Sequence, residues 1–285
     1  MSVPFRINLS GKVAVVTGGS GVLGGCMAKA LAECGAAVAI ISRKLNRAEA
    51  VALAIRKAGG RAVAISCDVM DRRSLKSANS RIEKEFGPVD ILINAAGGNH
   101  PDGITTREYL VEGDLKKVPA GIKTFYDLDV AGIRNVMDLN FLGTLAASQE
   151  FTRSMAKRKR GVIINISSMA AIAPLTRIPA YSAAKAAVTN FTQWLAVHMS
   201  KIGIRVNAIA PGFFLTDQNR ALMTNKNGSL TARGRKIQVN TPMGRFGGPQ
   251  ELVGTMLWLV SDEAAGFVTG AVIPVDGGFS AFGGV

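Results

Sequence analysis

Short apolar runs at 13–16, 37–41, 62–65, 89–93, 162–166, 204–209 and 271–275 recur along the chain, with longer stretches of helical period between most of them. Most of these runs lack polar alternation, as strands do when helices cover both of their faces. The segments 23–34, 45–58, 72–86, 135–157, 180–202 and 249–259 read as those helices. Right-handed crossovers then give an α/β fold: a doubly wound (Rossmann-type) parallel seven-stranded sheet with helices on both faces. Its ligand crevice opens beyond the carboxyl ends of the strands. The length suffices for one such core, so residues 1–285 are expected to form a single nucleotide-binding domain. Two stretches break the rhythm. Residues 97–129 and 212–248 both follow strands on the ligand side, and they read as an active-site insertion and a substrate loop.

Directly after the first run stands Thr17-Gly18-Gly19-Ser20-Gly21-Val22-Leu23-Gly24, in which residues 19–24 spell GxGxxG at the opening of a helix. Only residues without a Cβ let the backbone turn tightly enough to approach a pyrophosphate, whose charge then rests on free N–H groups at the helix N-terminus. Gly18, Gly19, Ser20, Gly21, Val22 and Leu23 are therefore the expected contacts. An acidic residue about 20 positions on would hold the ribose 2′-hydroxyl of NAD. Ser42-Arg43-Lys44 stands there instead, and a hydroxyl beside a guanidinium can take a 2′-phosphate by charge-assisted hydrogen bonds. NADP(H) is favoured, with NAD(H) as the alternative. Asp68 and Val69, after the third run, are expected at the adenine. The small residues of Asn94-Ala95-Ala96-Gly97, after the fourth, permit close approach to the cofactor.

The chemistry falls in the second half. Ser167 and Ser168 follow the fifth run, and Tyr181 and Lys185 lie four apart on one helical face. A phenol with an ordinary pKa near 10 is a poor base, and a neighbouring ammonium favours its ionised form. Together with the glycine loop, these residues resemble the short-chain dehydrogenase/reductase family from about Leu9 to Phe279. The resemblance implies hydride exchange between a nicotinamide and a secondary alcohol or ketone. It gives Tyr181 the proton, Ser168 the substrate oxygen, Lys185 the nicotinamide ribose and a lowered tyrosine pKa, and Asn140 a water-mediated proton relay. Pro211, Gly212, Phe214 and Thr216 look like the segment that holds the carboxamide, and 275–279 like the closing strand and turn.

Two features depart from the family pattern. Val22 stands where glycine is usual, and the interval from Asn94 to Asn140 is roughly 20 residues longer than such folds need. Within the family the chain is most similar to the D-mannonate oxidoreductase, or fructuronate reductase, branch. The likeness lies in the glycine-loop variant, the stretch 94–101, and the run 174–179 before Tyr181. That implies a small anionic sugar acid as substrate and, by family habit, a homotetramer. Asn99, His100 and Arg177 are placed to face such a substrate. Arg177 is the first choice for its carboxylate, with Arg220 and Arg245 as alternatives, because a buried carboxylate needs a paired cation or several donors. A gluconate 5-dehydrogenase-like activity, a 3-oxoacyl thioester reductase and a nonenzymatic NADP-binding regulator are the rival readings. An intact Asn140, Ser168, Tyr181 and Lys185 argues against the regulator.

The net charge of +14 and pI near 10.1 raise the question of polyanionic partners. The one dense basic run, Lys157-Arg158-Lys159-Arg160, lacks interleaved aromatics and precedes a strand, so it reads as a solvated helix end and nucleic acid is not expected. Cys26, Cys34 and Cys67 are too few and too scattered for a disulfide framework or a metal site, and read as buried structural thiols. No apolar stretch has the length of a signal peptide or membrane span, which points to the cytoplasm.

Overall fold

Each of the seven apolar runs forms a strand in the computed structural model, which describes residues 6–216 and 220–284. Residues 1–5, 217–219 and 285, the middle group lying in the expected substrate loop, fall outside the described residues. The strands β1 (Val13–Thr17), β2 (Ala37–Ser42), β3 (Arg61–Ser66), β4 (Ile91–Asn94), β5 (Gly161–Ile166), β6 (Ile204–Pro211) and β7 (Val272–Val275) make one parallel sheet in the order 3-2-1-4-5-6-7. Its order reverses between β1 and β4, which places a crevice between their carboxyl ends.

The helices are α1 (Val22–Glu33), α2 (Leu45–Lys57), α3 (Arg72–Phe86), α4 (Glu112–Lys116), α5 (Val130–Met137), α6 (Gly143–Phe151), α7 (Arg153–Arg158), α8 (Pro179–Met199), α9 (Arg220–Met223), α10 (Ala232–Val239), α11 (Val253–Val260) and α12 (Asp262–Ala265). Alternate strand residues serve opposite faces. Ala14, Val16, Val38, Ile40 and Ile164 pack with α1, α2 and α11. Val13, Val15, Ala39, Ile41 and Ile163 pack with α3, α6 and α8. The unbroken apolar runs are thus two period-two patterns, one for each helical layer.

Two local expectations are corrected. The expected helix 135–157 starts earlier, at Val130, and passes through a π-helical turn, Asp138–Leu142, before breaking again at Thr152. At that turn the buried Asn140 side chain donates to the carbonyl oxygen of Val136, one turn back (2.8 Å), and the Thr144 hydroxyl donates to the Asn140 carbonyl oxygen (2.8 Å). Such side-chain bonds stabilise the widened backbone. The basic run is not wholly solvated either: Arg158 donates to Asp90 at 2.6 Å. Asp90 is buried and also accepts from the Val13 N–H, so it needs a cation beside it. Lys159 closes α7 in the left-handed conformation (φ 54°). Of the cysteines, Cys67 is buried and Cys26 and Cys34 are half-buried, and burial raises all three thiol pKa values. Among the described residues no helix is long and apolar enough to cross a membrane.

Candidate active site

The carboxyl ends of β1, β2, β4, β5 and β6 open on a cavity of about 940 Å³. Its floor is the turn between β1 and α1. Gly18 sits at φ 65°, and a Cβ there would lie 2.6 Å from the Ala95 carbonyl oxygen; one on Gly24 would lie 2.6 Å from the Gly18 carbonyl oxygen. Side chains are therefore excluded where the two backbones meet. Gly21 precedes α1, and no side chain caps that helix, so its first N–H groups face the cavity as an anion site. Val22 in place of glycine is accommodated because it is already the first helical residue. The glycine cradle, the uncapped helix and the cavity volume fit a dinucleotide.

Gly18, Ser20, Gly21, Val22, Leu23, Ser42, Arg43, Val69, Ala95, Ala96, Gly97, Gly212, Phe214 and Thr216 line this cavity, as does the Tyr181 and Lys185 pair. Ser20 and Ser42 share a hydrogen bond of 2.7 Å across its rim. Gly19, Asp68, Asn94 and Pro211 do not line it. The Gly19 N–H is spent on the Ile41 carbonyl oxygen, and Asp68 accepts from the Met70 N–H in its own turn. Asn94 turns into the core, where its amide donates to Ser148 and to Asn165, each at 2.9 Å. Lys44 and Arg47 also line the cavity beside Arg43. Arg47 was missed, although its place four residues after Arg43, in the first turn of α2, was a readable signal.

At the other end, Pro179 opens α8 and puts Tyr181 and Lys185 on successive turns. The Ser168 side chain accepts from the Ala170 N–H (3.1 Å) and stands beside the Tyr181 hydroxyl. Ser167 points the other way, clamping β5 to α8 through Thr189 (2.7 Å) and the Lys185 carbonyl oxygen (3.1 Å). Lys185 is only 4% exposed; its Nζ donates to the Ile166 carbonyl oxygen (2.8 Å) and lies 5.6 Å from the centre of the Tyr181 ring. Burial lowers the Lys185 pKa to about 8. Burial also raises the Tyr181 pKa, against a smaller lowering from the Ser168 hydrogen bond. The expected lowered phenol is thus not a property of the protein groups alone, and at neutral pH the Tyr181 phenol is protonated. Asn140 is fully buried. Both donors of its amide are spent, on Gly98 (2.7 Å) and Val136, and its Oδ1 accepts from the Gly98 N–H. A Cβ on Gly97 would fall 2.6 Å from that Oδ1 and 3.2 Å from Lys185 Nζ, so glycine lets the three groups converge.

The expected substrate residues separate. Arg177 lines a second cavity of about 350 Å³ that shares Phe213 with the first. His100 accepts from the Asp102 N–H and begins a short helical turn, and Asn99 is exposed and bonded to the His100 N–H; neither lines either of these two cavities. Arg220 begins α9, away from both cavities. Arg245 is held by Glu251 through two contacts of 2.7 Å, which bring the Glu251 pKa down to about 2, so it is committed to the turn before α11. Among the described residues no group of three or more His, Cys, Asp or Glu side chains could hold a metal ion.

Comparison with known proteins agrees with this geometry. The family model described as short chain dehydrogenase matches residues 12–227. An uncharacterised oxidoreductase, UxuB, of Bacillus subtilis is 51% identical over 283 residues, covering 99% of this chain and all of that protein. The crystal structure of a provisionally assigned D-mannonate oxidoreductase from Haemophilus influenzae, with bound NAD, superposes with a TM-score of 0.93 at 47% identity and full coverage of both chains. The 5-keto-D-gluconate 5-reductase of Escherichia coli K12 is 33% identical over 273 residues, covering 95% of this chain and 96% of that one.

Proposed function

The chain belongs to the short-chain dehydrogenase/reductase family and is an NAD(P)-dependent oxidoreductase of alcohol and carbonyl groups, and from that membership we propose that it interconverts D-fructuronate and D-mannonate. The observation that carries this reading is Tyr181, with Ser168 beside it, in the wall of the large cavity, next to a second cavity lined by Arg177. A carbonyl at the first and a carboxylate at the second describe a keto acid. The similarity to the Haemophilus protein supports the sugar-acid class.

The β1–α1 turn would hold a nicotinamide dinucleotide, which when bound would supply or accept the hydride. Ser168 orients the carbonyl oxygen, and Tyr181 donates its proton to that oxygen as negative charge develops there. Lys185, protonated at neutral pH, favours the phenolate that remains and holds the cofactor ribose. Asn140 fixes the Gly97–Gly98 backbone against Lys185; with its amide saturated, it positions the relay rather than donating within it. Offering fructuronate, 5-ketogluconate and an acetoacetyl thioester to the purified protein with NADPH tests the substrate. Rapid NADPH oxidation is expected with fructuronate. Turnover confined to 5-ketogluconate or the thioester would move the chain to a rival reading.

NADP(H) is the proposed cofactor, because Arg43, Lys44 and Arg47 all line the adenosine end, where a 2′-phosphate adds about two charges. Arg43→Ala should lower kcat/KM for NADPH by about tenfold or more and leave NADH nearly unchanged. Equal loss with both would assign Arg43 to the adenine, and a strong wild-type preference for NADH would overturn the NADP(H) reading. The same reading includes a homotetramer, supported by the exposed apolar side chains Leu142, Trp194 and Val197.

A further inference from the structure

The second cavity carries a charge pattern that proton and hydride transfer do not require. Leu175, Ile178, Phe213, Ile237 and Phe279 give it apolar walls, and its charged lining is Arg177, Arg233, Lys236 and Glu108. Arg177 comes from the turn before α8 and Arg233 from α10. Burial and the nearby Arg177 charge both push the Arg233 pKa down, and the Glu108 carboxylate in the same cavity wall opposes them more weakly. Glu108 is already engaged by Lys236. Among the described residues no carboxylate lies within ion-pair distance of Arg177 or Arg233. Two like charges turned toward one apolar cavity repel each other, and an anion between them converts that cost into charge-assisted hydrogen bonds.

Arg177 is also held in place at a conformational cost. Its φ of 72° is unusual for a residue with a side chain, and two bonds to the active-site insertion maintain it: Thr105 N–H to Arg177 carbonyl oxygen (2.9 Å) and Arg177 Nε to Thr105 carbonyl oxygen (3.1 Å).

We propose that Arg177 and Arg233 together form a carboxylate pocket, with Arg233 as the residue that selects acids over neutral sugars while the carbonyl lies at Tyr181. This rests on the keto-acid reading above and adds a reader from the substrate loop that the sequence did not single out. Arg233→Met should raise the KM of fructuronate or 5-ketogluconate by about 10- to 100-fold, with kcat changed less than about threefold. The KM of the corresponding primary amides should not move, and Arg233→Lys should recover part of the loss. Equal effects on acid and amide, or none on either, would overturn the pocket. Calorimetric titration of D-gluconate and of gluconamide into the cofactor-loaded protein separates this proposal from the substrate assignment. Wild type should bind gluconate more tightly than gluconamide, and Arg233→Met should abolish the difference. If that holds while fructuronate is not reduced, the substrate assignment fails and the pocket stands. If wild type does not prefer gluconate, the pocket is wrong whatever the substrate.

Discussion

Tyr181→Phe should lower kcat by about 10² to 10⁴ while leaving the dissociation constant for the dinucleotide within about twofold. The substitution deletes the hydroxyl beside Ser168 and keeps the ring that lines the cavity. Because Lys185 Nζ bonds to the Ile166 carbonyl oxygen and not to the phenol, its placement should survive the change. Cofactor fluorescence titration and steady-state turnover on one preparation read the two quantities separately. Turnover close to wild type would remove Tyr181 from proton transfer.

Lys185→Met should cost about 10²-fold or more in turnover, and it should also change how stability depends on pH. Burial takes the lysine from its ordinary 10.5 to about 8 in the folded state. Below about pH 8 folded and unfolded chains both carry the proton, and the native state bears the full cost of a buried charge. Between about 8 and 10.5 the native lysine has released its proton and the unfolded one has kept it. The unfolded state then binds more protons, so this group makes stability rise with pH across that window. The methionine variant lacks the rise. Denaturant unfolding of both proteins at pH 7.5 and pH 10 should show wild type gaining on the order of 2 kcal/mol relative to the variant. A pH-independent difference would mean that Lys185 keeps its ordinary pKa in the native state.

The order of elements and the convergence of motifs at the strand ends were legible because both rest on local patterns. Apolar runs without polar partners require two helical layers, and a glycine turn between strand and helix leaves few alternatives. What was not legible depended on where a side chain turns. Asn94 follows a strand as a ligand contact does, yet its alternate position on the pleat aims it into the core at Ser148 and Asn165. Arg177 and Arg245 are both arginines in loops, and only the structure distinguishes one facing a cavity from one bound to Glu251 six residues on. Arg233 was hidden for a related reason: no sequence motif marks α10, whose placement depends on the long segment after β6.

The π turn at Asp138–Leu142 also bears on which changes of chain length the fold accepts. A turn of this kind amounts to one residue inserted into an α-helix, and each inserted residue rotates everything after it by about 100° about the axis. Asn140 and Gly143 onward therefore present faces that an unbroken helix from Val130 could not present together: Asn140 against Gly98, and Thr144 and Ser148 toward the polar core that holds Asn94. Deleting one residue here would restore an unbroken α-helix and exchange which side chain meets the cofactor cavity and which meets the core, so a one-residue deletion in this segment should cost far more than one in an exposed loop.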